Sequence, residues 1–360
     1  MTRKLKRVWL LALVAVLFSA FNVYADDDFQ GNFFIKNVII NGEKIVNYNL
    51  QYAIVIYNES MYIPLTEEMC EIYGLETDYD KESRTLKLFN TESARKNLSD
   101  NRLKNDVWPM LFNVLTDAKV HVYEKEGSFY VFNTLEKVET AELYLGELDL
   151  MSLPLLENNN IIYMPLRALA ENEYLGWDIH FDEYFGVCIS TDPDIPAKTY
   201  FDYGEALENR GLVNYMMRIN STIVPSYGQQ LVFLFKRAGE VYGVDPKLLV
   251  AVVHTESRFN TGAVGRGGSA GLMQVMPATA ARYGMTAEQL KDPKKGIDFG
   301  AMYISERIEA FNGDWILGLS AYNQGTTRVN RGSHSITYAN LVMSRYENIE
   351  KYLLENGFIL

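Results

Sequence analysis

The sequence predicts a multi-domain chain: an α+β N-terminal region built on a repeat, followed by an all-α domain. Three observations carry this. Met61-Tyr62-Ile63-Pro64-Leu65 recurs 101 residues later as Ile162-Tyr163-Met164-Pro165-Leu166. Apolar residues alternate with period 2 over residues 33–40 and 120–132, the mark of half-buried strands. After residue 228 the apolar spacing turns helical, and no strand of comparable strength follows. The 360 residues suit about two domains at ~150 residues each. A hydrophobic content of 48% with 22% charged residues excludes wholesale disorder.

Residues 1–25 read as a secretory signal peptide. Arg3, Lys4, Lys6 and Arg7 open it, an apolar run over 8–21 is broken only by Ser19, and Val23-Tyr24-Ala25 precedes three aspartates. That run is short against the ~20 residues a bilayer span needs. No cysteine follows it to carry a lipid. A secreted protein is expected. The formal net charge of -12 argues against a nucleic-acid partner. The charge is uneven: residues 26–227 carry 16 basic and 34 acidic side chains, and residues 228–360 carry 14 and 12. The C-terminal part is therefore the one suited to approach an anionic polymer.

Each copy of the Pro-Leu motif is followed by a helix-like stretch, 66–73 and 167–173, with Gly74 and Gly176 placed as C-terminal caps. Pieces ending in Tyr79-Asp80 and Phe181-Asp182 come next, then β-type runs over 85–89 and 186–190. The two units span about 31–90 and 118–190. This pattern resembles the stalk-type domain named after the N-terminal region of copper amine oxidases, found in secreted proteins of Gram-positive bacteria, and the resemblance places such a domain at 26–190. These domains carry no copper chemistry. His121 and His180 form no ligand-spaced cluster, so neither a metal nor another cofactor is expected. Cys70 and Cys188 occupy non-equivalent positions in the two units. A disulfide between them stays open, with buried free thiols the preferred reading. The insert 91–112 is polar and helix-compatible, with Leu103, Val107 and Leu111 four apart, but Pro109 argues against one unbroken helix. Residues 191–227 read as a linker with two prolines and a weakly amphipathic stretch over 200–220.

The helical part begins with 229–241, stopped by Gly243. Asp245 is a good N-cap with Pro246 at the first helical position. The helix 246–255 is apolar nearly all round, as a buried helix is. Further helices fit 277–283, 287–290, 297–311, 315–322 and 335–354.

Glu256 lies four residues beyond Val252 and eight beyond Leu248. That spacing sets a carboxylate on the face of those two apolar side chains, at the end of a buried helix. Burial raises a carboxyl pKa, as a general acid near neutrality requires. A surface Glu at a frayed helix end is the competing reading. Residues 256–277 read ESRFNTGAVGRGGSAGLMQVMP, and residues 320–325 read SAYNQG. The "ES", "GLMQ-φ-MP-x-TA" and "AYN-x-G" motifs, in that order and spacing, resemble the soluble lytic transglycosylase domain family, of goose-type-lysozyme-like fold, which acts on peptidoglycan. The resemblance covers about residues 228–345, within a domain placed at 228–350. It implies Glu256 as the sole catalytic acid/base. It also implies Gln274 and Met276 lining the sugar groove, Tyr322 bonding near the carboxylate, and Asn323 with Gly325 shaping the turn beneath. The implied partners are peptidoglycan glycan strands, with other wall polymers open to the N-terminal region, and the implied location is secreted or cell-wall-associated. Two departures stand out. Gly265 replaces a family Ser nine residues after the Glu, a loss for which Ser269 is a candidate substitute. Gly296-Ile297 replaces the family's Asn-Ile.

Most glycosidases need two carboxylates. Here Asp245, Asp292, Asp298 and Asp314 read as caps or turn residues, which leaves one. By the resemblance, Glu256 protonates the glycosidic oxygen and then deprotonates the sugar's 6-hydroxyl, giving 1,6-anhydromuramyl ends. Attack by water would make a muramidase on the same fold, and an inactive domain would make a wall-binding protein. The Gly265–Gly271 run follows a helix and lacks a P-loop Lys-Ser/Thr, and His254-Thr255-Glu256 has no following cysteine pair, so nucleotide and deaminase readings fail.

Overall fold

The computed structural model describes residues 28–30, 32–34, 36–47, 50–91, 111–126, 129–130, 137–138, 141–147, 153–171 and 175–359. The leader expected over 1–25 and most of the insert lie outside them. Among the described residues, no helix is long and apolar enough to cross a membrane. The chain divides into two compact units, Met1–Phe201 and Asp202–Leu360.

The first unit is rich in strands. In chain order these are β1 (Asp28–Gln30), β2 (Asn32–Phe33), β3 (Asn37–Ile40), β4 (Glu43–Ile45), β5 (Val55–Tyr57) and β6 (Ser60–Pro64), then helix α1 (Glu67–Tyr73). After α1 come β7 (Leu75–Asp80), β8 (Thr85–Asn90), β9 (Leu111–Leu115), β10 (Lys119–Glu126), β11 (Phe129–Tyr130), β12 (Lys137–Val138), β13 (Ala141–Glu147), β14 (Leu155–Asn158) and β15 (Ile161–Pro165). Helix α2 (Leu166–Glu171), β16 (Asp178–Asp182) and β17 (Gly186–Ser190) complete it. Leu111 and Phe112 of the insert thus open a strand, not a helix.

The two Pro-Leu motifs form neighbouring strands. β6 pairs antiparallel with β15, and Ile63 faces Met164, its counterpart in the motif. Successive strand residues point to opposite faces. Ile63 and Met164 accordingly enter one apolar core, and Tyr62 and Tyr163 a second, smaller one. Thr66 caps α1 through the amide of Met69, and Gly74 closes it at φ 71°.

The flanking strands are exchanged relative to chain order. The β7–β8 hairpin takes β10 as a parallel neighbour of β8, with β13 antiparallel beyond it. The β16–β17 hairpin takes β3 parallel to β17, with β4 beyond. Strands from the start of the chain therefore complete the second hairpin's sheet, and strands from the middle complete the first's. Cys70 and Cys188 are buried free thiols, each pushed up to about 12 by burial.

The second unit is helical: α3 (Tyr203–Ile219), α4 (Pro225–Tyr242), α5 (Pro246–Glu256), α6 (Pro277–Ala280), α7 (Pro293–Ala310), α8 (Trp315–Gln324), α9 (Thr326–Asn330) and α10 (Thr337–Glu355). The weakly amphipathic stretch is a full helix, α3, because Asp202 caps it and it buries Leu212, Val213 and Met216 against its neighbours. Asp245, Asp292 and Asp314 each accept a backbone amide at the start of α5, α7 and α8. Asp298 is neither cap nor turn: it lies inside α7 and accepts from Arg237 at 2.5 Å. The helix expected over 287–290 is a 3-10 turn, Gln289–Lys291, because Thr286 and Gln289 bond each other's backbone amides and tighten it. Residues 277–283 likewise split into α6 and a 3-10 turn, Ala281–Tyr283.

Candidate active site

The six residues Leu248 to Val253 of α5 are all buried. A helix locked in this way delivers its last residue, Glu256, to a fixed point. Glu256 is half-buried, and the Tyr338 hydroxyl donates to its Oε1 at 2.6 Å. Burial holds its carboxyl above the ordinary range, while the Tyr338 bond and the nearby Arg345 charge pull the other way. Among the described residues no second carboxylate figures among the groups that shift Glu256. The phenol fixes one carboxyl oxygen and leaves Oε2 to carry a proton, the form a general acid needs.

Tyr338 stands near the start of α10, 82 residues beyond Glu256 and outside every motif. Its approach is set from α8. The Gln324 side chain donates to the Ser335 carbonyl at 2.6 Å and accepts the Ser335 amide at 3.0 Å, fixing the turn that leads into α10. The sequence marked neither Tyr338 nor Ser335, and Gln324 stood only as the variable position of the AYN-x-G motif. The one available signal was the tyrosine-rich helix that follows the AYNQG motif.

The bond expected of Tyr322 near the carboxylate goes to the backbone of the neighbouring loop. The Tyr322 hydroxyl donates to the Met273 carbonyl at 2.7 Å. Burial raises its pKa well above the usual phenol value, and the Glu256 charge adds to this. Tyr322 thus borders the site while tying the 263–276 loop to α8. In that loop Met273 and Val275 are buried, Gln274 is half-buried and Met276 is 43% exposed. This alternation gives Met276 a free apolar face and makes Met273 and Val275 core residues.

Gln274 is engaged within the loop. At φ 47°, its amide nitrogen donates to the Ala263 and Gly271 carbonyls, each at 2.9 Å. Its Oε1 accepts from Ser269 Oγ at 2.8 Å. Only one acceptor site remains for a ligand. Gly265 is explained by the same contacts: a Cβ there would lie 2.3 Å from Ser269 Oγ and 2.7 Å from Gln274 Oε1. The Ser269 hydroxyl occupies the space that a residue-265 side chain would enter. Asn323 is exposed, and its side chain makes no hydrogen bond among the described residues. Gly325, at φ 87°, starts α9 just beyond it.

His254 accepts or shares a proton with Tyr215 across 2.9 Å, and burial lowers its pKa to about 4. It is a neutral structural partner of α3 at physiological pH.

Residues 233–337 match the family model described as "Transglycosylase SLT domain". A transglycosylase of Enterobacteria phage PRD1 is 39% identical over 106 residues, covering 29% of this chain and 39% of its own. Membrane-bound lytic murein transglycosylase C of Edwardsiella ictaluri is 32% identical over 149 residues, covering 31% of this chain and 42% of its own. The chain thus spans about two fifths of the length of these relatives. Among solved structures, the 70 kDa soluble lytic transglycosylase of Escherichia coli is similar at 24% identity and a TM-score of 0.33, covering 43% of this chain and 30% of that one.

Proposed function

We infer that this chain, which carries a transglycosylase SLT domain over residues 233–337, is a peptidoglycan lytic transglycosylase. The observation that carries the reading is the half-buried Glu256, its pKa raised, held on one oxygen by Tyr338 inside the matched domain. The names of the relatives supply the substrate, murein.

Glu256 starts protonated and donates through Oε2 to the glycosidic oxygen between N-acetylmuramic acid and N-acetylglucosamine. Positive charge builds on the sugar carbon. With no second carboxylate acting on Glu256 among the described residues, the substrate's own acetamido group is the natural stabiliser. The Glu256 carboxylate, now assisted by its Tyr338 bond, removes the proton of the 6-hydroxyl. That oxygen closes on the sugar carbon and leaves a 1,6-anhydromuramyl end. Met276 supplies an apolar wall to the groove. Gln274 acts chiefly by holding the loop, with its remaining acceptor site for a sugar hydroxyl or amide. Asn323 is exposed and available to the glycan. Ser269 places in the loop the hydroxyl that Gly265 lacks, which speaks against an inactive domain.

The helical unit is the lysozyme-like, all-α catalytic part, and no cofactor enters the scheme. The N-terminal unit is a duplicated stalk-like domain whose two halves have exchanged their flanking strands, supported by the facing Pro-Leu strands and the matching sheet orders. It is the candidate for holding the enzyme at the wall, to peptidoglycan or another wall polymer. The basic and apolar leader at 1–25 supports export to that location. Digestion of purified peptidoglycan, with the new sugar ends identified by mass, tests the reading: anhydro ends support it, and an absence of cleavage refutes it.

A further inference from the structure

Helix α10 presents Tyr338, Arg345 and Tyr352 at seven-residue intervals, so the three share one face. At one end Tyr338 bonds Glu256. At the other, Tyr352 packs on Tyr215 of α3 with ring centroids 5.5 Å apart. Arg345 lies between these anchors. Tyr215 in turn bonds His254, two residues before Glu256 on α5. Two further arginines border the same place. Arg258, just beyond α5, donates to the Ile219 carbonyl at 3.3 Å. The Arg218 guanidinium sits 5.9 Å from the centroid of the Tyr352 ring.

Elsewhere in the helical unit Lys236, Arg237, Lys247 and Arg307 each meet a carboxylate. Among the described residues, neither Arg345, Arg258 nor Arg218 forms a salt bridge. Arg345 is half-buried, and its Nη1 is buried with no hydrogen-bond partner. Glu256 is the carboxylate whose charge reaches it. Arg258 and Arg218 are exposed, so the cluster opens to solvent. An unpaired buried guanidinium N–H is costly in the free protein and becomes favourable once an acceptor reaches it. A planar fork of donors matches a carboxylate two bonds at a time.

We propose that Arg345, with Arg258 and Arg218, forms a subsite beside Glu256 that binds free carboxylates of the peptides borne by the wall glycan. The proposal rests on the reading above that this glycan is the substrate. Binding there uses a part of the substrate remote from the reacting bond to seat the glycan against Glu256.

The test measures binding by titration calorimetry on the full chain. The probes are a soluble wall stem peptide with its free carboxylates and the same peptide with those carboxylates amidated. Neither peptide contains a glycosidic bond, so the result does not depend on cleavage. A chain that binds the peptide yet leaves peptidoglycan intact would refute the catalytic reading alone. The wild type is expected to prefer the charged peptide by a factor of about 10 or more, the scale of a hydrogen bond to a charged group. R345M should abolish that preference, and R345K should keep part of it, with circular dichroism unchanged. R258Q, at an exposed position that spares the fold, should reduce it by a smaller factor. The proposal is overturned if the wild type shows no preference, if R345M and R258Q both keep the full preference, or if glycerol phosphate binds more tightly than the peptide.

Discussion

Replacing Tyr338 by Phe removes one hydroxyl and leaves the ring that packs between α5 and α10. The lost bond is 2.6 Å long and ends on a half-buried carboxyl. Hydrogen bonds to charged groups contribute ~1.5–3 kcal/mol, so kcat/KM should fall roughly 10- to 150-fold if the bond matters in the transition state. A second effect has a definite sign. The bond favours the ionised form of Glu256 and so lowers its pKa, against the larger effect of burial. Without it the pKa rises further. The first chemical step needs the protonated acid, so activity falls as pH rises through that pKa, and in Y338F this alkaline limb should move to higher pH. The assay is release of soluble muropeptides from purified peptidoglycan between pH 4 and 9, with circular dichroism as the control for folding. A folded Y338F with the wild-type rate and an unmoved alkaline limb would refute the role given to this phenol.

Three further outcomes follow from the same contacts. Because the folded-state pKa of Glu256 is raised, the native state binds the extra proton, and its stability contribution is lost as pH climbs through that pKa; E256Q should therefore raise Tm at pH 7, with the gain vanishing near pH 4 in scanning calorimetry. G265S should destabilise by ~1–3 kcal/mol through overpacking against Ser269 and Gln274, whereas G265S/S269A, which clears the closer of the two contacts, should recover part of the lost urea midpoint. A fragment from Asp202 to Leu360 should fold alone, while one from Ser221 should show a broadened thermal transition, since it exposes the apolar surface that α3 covers with Leu212, Val213 and Met216.

The helices of the second unit were legible because their punctuation is local. Asp245-Pro246 and Asp314 announce starts, and Gly243 announces a stop, whereas α7, expected from 297, begins at Pro293 with Asp292 as its cap. Glu256 was legible for a related reason: its spacing from Leu248 and Val252 is fixed by the helix that carries it. Tyr338 was not, because only tertiary packing of α10 on α5 brings it to the carboxyl, across 82 residues. The same holds for Tyr322, whose motif marks the residue but not its partner, Met273. Gln274 looked like a sugar-binding amide, and its bonds to Ala263, Gly271 and Ser269 depend on a left-handed backbone that residue spacing does not show. In the first unit the alternating motif predicted strands and the short helix after each. The exchange of β3 and β10 between the hairpins is a matter of long-range register, which alternation leaves undetermined.

Glu256, in the proposed reaction, cleaves the wall glycan by transferring the bond to the sugar's own 6-hydroxyl. This is tested most directly by digesting purified peptidoglycan with the wild type and E256Q and resolving the products by mass, before and after borohydride reduction. The wild type should give mainly 1,6-anhydromuramyl ends, inert to borohydride, and E256Q should lose product by a factor of ~10² or more. Fully reducible muramyl ends from the wild type, or undiminished cleavage by E256Q, would contradict it.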